Sequence, residues 1–351
     1  MAITSWVWVW QKAMKRAKLI LLGIYKNNSM IRLTLQKLFY VVLMLLIISI
    51  ISFGAIHLAP NSFFATGELN PNITPESLEQ LKKVYGLDKS LVVQFFSWLG
   101  AIIQLDFGIS FASGKAVKDE ILSRLPITLL LNGISFVLVF CISLYIGINS
   151  AMKSETKFDK IAKQFSLLSY SMPSFYLALL LTIVLSVDLK LFPISGLHSV
   201  DVKDGFSYYL DFAWHLVLPV FVMVFGGIGS LSMYIRSLTL SVLKSEYLFF
   251  ALSRGIKGYK LFRYFILPNI SPPIVTILGL SLPGLIGGSV ILESIFAING
   301  MGLLFYQSAL SRDYPVIMGI LIISAFLTLL GNIIADLILL RLNPHFKRGK
   351  A

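Results

Sequence analysis

The chain has 351 residues, 56% of them hydrophobic and 13% charged, with a formal net charge of +13. A soluble domain carries about 25% charged residues, so the composition excludes an ordinary soluble domain and points to the bilayer. One cysteine (Cys141) and four scattered histidines (His57, His198, His215, His345) exclude a disulfide framework, a cysteine metal site and histidines at metal-ligand spacing.

The first 29 residues carry Trp6, Trp8 and Trp10, then Lys12, Lys15, Arg16 and Lys18. They read either as a basic amphipathic helix on the inner leaflet or as an extension from a misassigned start, because Met30 opens a self-sufficient sequence. A membrane-crossing helix needs about 20 mostly apolar residues. Stretches free of Asp, Glu, Lys and Arg run over 38–67, 125–152, 164–187, 212–235, 264–292 and 314–335. They predict spans at 39–59, 127–149, 165–187, 214–235, 271–292 and 315–339. The first run is too long for a signal-peptide core and has no clear cleavage site, so it reads as an uncleaved helix.

The connection 60–126 holds a predicted helix capped by Thr74, with Pro75 first, Leu78, Leu81, Val84 and Tyr85 on one face, and Gly86 at its end. Two shorter uncharged runs, 90–105 and 294–311, contain Gln94 and Gln104, and Asn299, Gly300, Gly302 and Gln307. Both read as interfacial or re-entrant segments. Val117 to Leu125 is a further amphipathic stretch, leading into the second span at Pro126.

In the third span Ser169, Tyr170, Ser171, Pro173 and Ser174 either line a polar path or satisfy a kink. The connection 236–270 is basic and amphipathic. Ser245 is placed to cap a helix running to Arg254, Gly255 permits a turn, and a second helix from about Tyr259 is predicted to end near Pro268. Such a pair cannot bury its own apolar face, so Phe249, Phe250, Leu252 and Phe262 must meet the membrane domain or a soluble partner.

The fifth span and its edge carry Ser281, Pro283, Gly284, Gly287, Gly288 and Ser289, with Gly284 and Gly288 in GxxxG spacing. These residues read either as a mobile pore-lining helix or as small-residue packing. Asp336, the only carboxylate inside a predicted span, lies near Arg341 at the inner end, where snorkelling or pairing outweighs proton coupling. Glu293 and Asp313 flank the segment 294–311 and read as an outer gate, a partner contact or plainly solvated carboxylates.

Orientation follows from the basic residues. With the N-terminus inside, segments 1–38, 150–164, 236–270 and 340–351 hold 21 Lys and Arg, against 9 in the outer connections. Thus the net charge tracks the membrane and does not form a nucleic-acid patch. The expected fold is an all-α polytopic membrane protein with six transmembrane helices and both termini cytoplasmic. Its parts are the extension 1–29, a first helix and outer loop over 30–125, a transmembrane core over 126–340 with the loop 236–270, and a basic tail 341–351.

At loop 236–270 the sequence resembles the permeases of bacterial binding-protein-dependent ABC importers. Their helix–Gly–helix signature reads EAA, three residues, Gly, nine residues, then I-x-L-P. Ala251, Gly255, Leu267 and Pro268 stand at matching positions; Phe249, Phe250 and Phe265 replace the Glu, the first Ala and the Ile. Tyr247 to Ile256 is similar to the form common in the peptide/nickel subfamily. Tyr85 to Leu91 and Leu105 to Phe111 resemble outer-loop elements of the first permease subunit of dipeptide and oligopeptide importers. Glu293 to Phe296, Gly300-Met-Gly302 and Arg312 to Pro315 resemble its ETIF–PG-G–RDYP region, with Asn299 in place of a usual Pro. Ala59-Pro60 is similar to an APGDP element, with Asn61 and Ser62 replacing Gly-Asp. The likeness runs from about 30 to 345.

This resemblance implies a type I ABC importer permease fold in the bacterial inner membrane. It implies half of a translocation pathway for dipeptides or oligopeptides, with nickel or another small solute as the alternative. It also implies a second homologous permease, two ATPase subunits that use ATP and magnesium, and an extracytoplasmic substrate-binding protein. Gly114-Lys115-Ala116 lacks the other residues of a P-loop, so no cofactor and no enzymatic step are expected in this chain.

Glu246, Tyr247, Ala251, Arg254, Gly255, Lys257, Leu267 and Pro268 are then the expected ATPase-coupling residues. Ser281, Pro283, Gly284, Gly287, Gly288, Ser289, Ser171 and Ser174 are expected along the pathway. Glu293, Phe296, Gly300, Gly302, Arg312 and Asp313 are expected at an outer gate or binding-protein contact. A stand-alone secondary transporter or channel is the competing class; a membrane enzyme would need an intramembrane catalytic set that the sequence lacks.

Overall fold

The computed structural model describes residues 39–54, 89–200, 205–281 and 289–342, without the side chains of 335–342. The predicted helix at 74–86, the extension 1–29, Pro283, Gly284, Gly287 and Gly288, and any Asp336–Arg341 contact lie outside that description. The chain divides into two units, 1–51 and 52–351. In the first, the described residues belong to the apolar helix α1 (Phe39–Gly54). Among the described residues of the second, the secondary structure is helical apart from an isolated antiparallel bridge between Ile109 and Ala116.

Helix α2 (Leu91–Ile103) is apolar and buries none of its residues. Helix α3 (Val117–Met152) is 36 residues long, about 54 Å at 1.5 Å per residue. It runs on through Pro126 into the predicted second span. The amphipathic stretch 117–125 forms the first turns of the same helix, because Val117 and Ile121 pack against Met301, Leu304, Val316 and Ile320. Asp119 and Glu120 in its first turn complement the helix dipole.

The third predicted span is not one straight rod. Helix α4 (Lys157–Ser171) and helix α5 (Ser174–Asp188) meet at 95°. Pro173 causes this: it removes a donor and forces Met172 out of helical geometry, to φ −88 and ψ 120. Helix α6 (Phe206–Leu243) then runs unbroken for 38 residues through Pro219.

Helices α3 and α6 are parallel. Ser135 meets Met223, Ser143 meets Ile228 and Ser150 meets Arg236, the numbers rising together. The chain therefore has to return between them. It does so through α4 and α5, where Ser166 meets Ser232, Ser169 meets Phe225 and Gly229, and Ser199 meets Asp211.

Small residues let these backbones approach closely. A Cβ on Gly147 would lie 2.6 Å from the Ser232 carbonyl oxygen, and one on Gly229 would lie 2.8 Å from the Tyr170 nitrogen. Ser169 hydrogen-bonds the Phe225 carbonyl oxygen and accepts from the Gly229 N–H at 3.0 Å, so it fixes packing rather than lining a path.

After α7 (Glu246–Ser253), helix α8 (Gly258–Ser281) returns along α3 and α6. It does not stop near Pro268, as the sequence suggests. A wide π-turn over Phe262–Ile266 precedes the proline and accommodates the carbonyl its ring displaces. After α9 (Val290–Ile295), the segment 294–311 forms the helix α10 (Met301–Ser311). Helix α11 (Tyr314–Leu342) runs back from there.

Four described helices are long and apolar enough to cross a membrane, and five if the bent α4–α5 pair counts as one span. Three hydrophobic clusters follow one another along α3, around Ile121, Leu131 and Phe140.

Candidate functional site

At the end of the bundle where α3 and α6 finish, the α7–α8 hairpin is seated by a few apolar anchors. Leu248 and Ala251 are buried, and Leu248 packs in a cluster with Phe140, Ile235, Ile266, Ile270 and Ile274. The rest of α7 faces outward: Phe249 is 69% exposed and Phe250 65%. Glu246, Tyr247, Leu252, Arg254, Gly255 and Lys257 are also at the surface, with Tyr259 and Tyr264 beyond them. Of the coupling residues expected from sequence, Ala251 lies beneath the hairpin. It supports the hairpin from the chain's own side and is not available for outside contact. Leu267 is half-buried, Pro268 is exposed, and Phe262 packs into the cluster from its rim.

Gly255 sits at φ +77, a conformation that side chains with a Cβ rarely adopt, with nothing within 4 Å of where a Cβ would stand. The bend therefore needs glycine for backbone reasons alone. The exposed surface combines aromatics with Lys244, Arg254, Lys257, Lys260 and Arg263.

Behind the hairpin lies an ionic cluster that sequence reasoning missed. Asp159 of α4 is fully buried. Its carboxylate accepts from Arg236 Nε at 2.7 Å and Nη2 at 2.9 Å, from Ser150 Oγ at 2.5 Å, and from the Glu155 N–H at 3.0 Å. Lys163 Nζ stands 3.2 Å away. The group lies in the connection 150–164, outside the predicted spans. The Arg236 guanidinium, helped by Ser150, the Glu155 amide and Lys163, outweighs burial and holds the carboxyl well below the usual carboxylate range. Asp159 thus joins the end of α3, the start of α4 and α6 just before the hairpin. The available sequence signal is an acid spaced among Lys157, Lys160 and Lys163.

Along the bundle, α3, α6 and α8 enclose a groove of about 610 Å³. Asn132, Ser135, Ser230, Tyr234 and Ser281 supply its polar groups; Phe136, Val139, Phe140, Met223, Leu231 and Ile277 supply apolar wall. Among the described residues expected along the pathway, Ser281 reaches it. Ser171 and Ser174 are exposed at the α4–α5 bend and do not line it, and Ser289 accepts from the Leu292 N–H as the cap of α9. Asn132 and Ser135, three apart, and Ser230 and Tyr234, four apart, each share a helix face within uncharged runs. That spacing was the missed signal.

At the opposite end, Glu293 and Asp313, expected at an outer gate or partner contact or else solvated, are interior anchors. Glu293 is fully buried; it accepts from the Gly302 N–H at 2.7 Å, the Leu303 N–H at 3.1 Å and Thr128 Oγ1 at 3.1 Å. It therefore caps α10 and ties it to α3. A Cβ on Gly300 would collide with the Glu293 carboxylate, and one on Gly302 would lie 2.8 Å from the Val290 backbone. Asp313 accepts from Ser110 Oγ at 2.5 Å and from the N–H groups of Ala112 at 3.1 Å and Phe111 at 3.2 Å, pinning the loop before α3. Phe296 is also buried, while Arg312 is half-buried in a left-handed conformation at φ 58. The carboxylates face inward because they replace missing helix-end and loop partners, a use that residue type and position alone do not disclose.

Residues 143–348 match the model of the binding-protein-dependent transport system inner membrane component, and residues 30–132 match that of its N-terminal region. The chain is 38% identical over 304 residues to the oligopeptide transport system permease protein AppB of Bacillus subtilis, covering 86% of this chain and 95% of that one. It is 31% identical over 324 residues to a putative peptide transport system permease protein of Brucella abortus, covering 91% and 99%. It is 33% identical over 318 residues to the nickel import system permease protein NikB of Staphylococcus aureus, covering 90% and 91%. A chain of the MetNI methionine ABC transporter in an inward-facing crystal form is 16% identical, with a TM-score of 0.48 over 64% of this chain and 96% of that one.

Proposed function

The chain belongs to the family of binding-protein-dependent transport system inner membrane components, and from that premise we propose that it is the permease subunit of a peptide importer. The observation that carries the reading is the exposed aromatic and basic hairpin, seated by apolar anchors at the end of the bundle where the connections are richest in Lys and Arg. In this reading α1, α3, the α4–α5 pair, α6, α8 and α11 make six crossings, with both termini and the hairpin cytoplasmic in the bacterial inner membrane. Basic connections favour that side.

Separate ATPase subunits take up Phe249, Phe250, Tyr247, Arg254 and Lys257 in a groove and supply the energy from ATP and magnesium; this chain performs no hydrolysis. A second homologous permease completes the pathway, and an extracytoplasmic binding protein delivers cargo to the opposite end. Nucleotide binding shifts the assembly only if the hairpin is held differently in its two states. The Bacillus relative supports peptide as cargo, and the Staphylococcus relative makes nickel the second reading.

The test is to co-express the chain with its cognate second permease and ATPases, reconstitute it with the binding protein, and follow uptake of labelled di- to pentapeptides and of nickel. ATP-dependent peptide uptake is expected. Phe249→Ala with Phe250→Ala should release the ATPases during purification while leaving the permease folded. Retention of a fully coupled ATPase by that double variant refutes the docking assignment, and uptake of nickel without peptide refutes the cargo.

A further inference from the structure

The geometry points to a cargo subsite in the groove among α3, α6 and α8, built for the uncharged amide and hydroxyl groups of a peptide and indifferent to the charge of its side chains. This rests on the permease reading above and adds where, and by what chemistry, cargo is handled inside the chain.

The first argument is placement. Elsewhere α3 turns Leu129, Leu130, Ile134, Val137 and Leu138 outward, as a lipid-facing surface requires. Asn132 and Ser135 break that pattern on the face toward α6 and α8, where Ser230, Tyr234 and Ser281 join them. Polar groups at membrane depth are costly unless they meet water, protein or ligand. Asn132 and Ser135 lie buried at the floor of this concavity, Ser281 is half-buried and bonded to the Ile277 carbonyl oxygen, and Ser230 and Tyr234 are exposed on its wall, so the concavity presents polar groups at membrane depth.

The second argument is the kind of polar group. No described residue lining the groove is Asp, Glu, Lys, Arg, His or Cys. A bare divalent cation would find neither carboxylate, imidazole nor thiolate there. An amide oxygen and nitrogen and hydroxyls can each donate and accept, which matches the N–H and C=O of a peptide backbone in either direction. The Ser135 hydroxyl donates to the Met223 thioether at 3.6 Å, and its lone pairs remain as acceptors.

The third argument is size. About 610 Å³ accommodates a few residues of extended chain, within the usual range for small-molecule pockets. Phe136, Phe140 and Leu231 supply apolar wall against which side chains of any sign can slide.

The experiment uses the reconstituted importer with Cys141, the exposed native thiol, replaced by Ser. Ser230→Cys and Ser281→Cys are exposed to a charged, membrane-impermeant thiol reagent, with and without translocating peptide. Both are expected to react, and turnover with tripeptide should slow the reaction about threefold or more, as expected if ligand and reagent compete for one site.

Ser281→Asp and, separately, Ser230→Asp are then compared with Ser281→Asn for uptake of Lys-containing and Glu-containing tripeptides delivered by saturated binding protein. The Asp variants should shift the Lys-to-Glu uptake ratio by about tenfold from the wild-type value, a modest effect for a charge a few ångströms from the cargo. Ser281→Asn should leave the ratio unchanged. Thiols that do not react mean that lipid or the second permease covers the groove, and this overturns the inference. An unchanged ratio in the Asp variants overturns it as well. Failure of the wild-type importer to move any peptide refutes the underlying permease reading instead, so the two failures are separable.

Discussion

Replacing Asp159 by Asn tests whether the buried clamp is a structural requirement of the hairpin end. The substitution keeps size and one carbonyl oxygen but removes the charge that receives two Arg236 donors at 2.7 and 2.9 Å. The Arg236 side chain, 14% exposed, is then left beside Lys163, with the exposed Glu155 carboxylate 3.9 Å from Lys163 as a counter-charge near the two cations. Breaking a buried ion pair costs about 3–5 kcal/mol. The residual exposure of Arg236 and the hydrogen bonds that Asn can keep place the expectation at the lower end, about 3 kcal/mol. That is a change of more than about 100-fold in the folded-to-unfolded ratio. Arg236→Gln should cost about 2 kcal/mol, because Asp159 retains Ser150, the Glu155 amide and Lys163.

The double variant should cost less than the sum, with a coupling of about 2 kcal/mol. The assay is equilibrium unfolding in mixed lipid–detergent micelles, run as a full double-mutant cycle. pH supplies a sign. The folded carboxyl lies well below its ordinary value, so the stability it contributes is fully present above the unfolded pKa of about 4 and is lost only as pH falls toward the lowered value. The wild-type to D159N difference should therefore stay flat from pH 8 to about pH 5. Single-variant costs below about 0.5 kcal/mol with additive effects, the behaviour of an exposed pair, would refute the buried clamp.

Two glycines give further expectations. Gly229→Ala drives a Cβ to 2.5 Å from the Ser166 carbonyl oxygen at the α4–α6 seam, so it should cost about 1–3 kcal/mol in the same unfolding assay. Gly302→Ala, whose Cβ would meet the Val290 backbone at 2.8 Å, should loosen α10 from Glu293. Hydrogen exchange at the Gly302 and Leu303 amides should rise by about 10-fold or more, with the amides of α6 unchanged.

The helical class and most of the crossings were legible because lipid demands long uncharged runs, and charge interrupts those runs wherever the chain leaves the hydrocarbon. The bend of the hairpin was legible too, since Gly255 at φ +77 is a local requirement. Three things were not. Pro268 reads as a stop, yet the π-turn before it carries helix α8 through, and α6 likewise runs through Pro219. Pro173, read as part of either a polar path or a kink, does break its span, and nothing local to the sequence separates it from the others. Glu293 and Asp313 look like solvent carboxylates because their partners, at Thr128 and Ser110, lie 165 and 203 residues away.

The polar groove and the clamp stand in a definite mechanical relation. The clamp binds α3, α4 and α6 at the hairpin end, and Glu293 binds α3 to α10 at the other. The groove lies between these fixed points, along the parallel pair α3 and α6, and its third wall is α8. Helix α8 is also the element that continues directly from the exposed hairpin, and its start is seated mainly by apolar contacts of Ile266, Ile270 and Ile274. Apolar contacts slide with smaller penalties than a bidentate ion pair breaks. A push on α7 therefore moves α8 against a stationary α3–α6 wall more easily than it shears that wall. Ser281, near the far end of α8, would then shift relative to Asn132, Ser135 and Tyr234. On the cargo subsite inferred above, the same polar groups would hold cargo in one position of α8 and release it in the other, which is the differential contact that the proposed coupling through the hairpin requires.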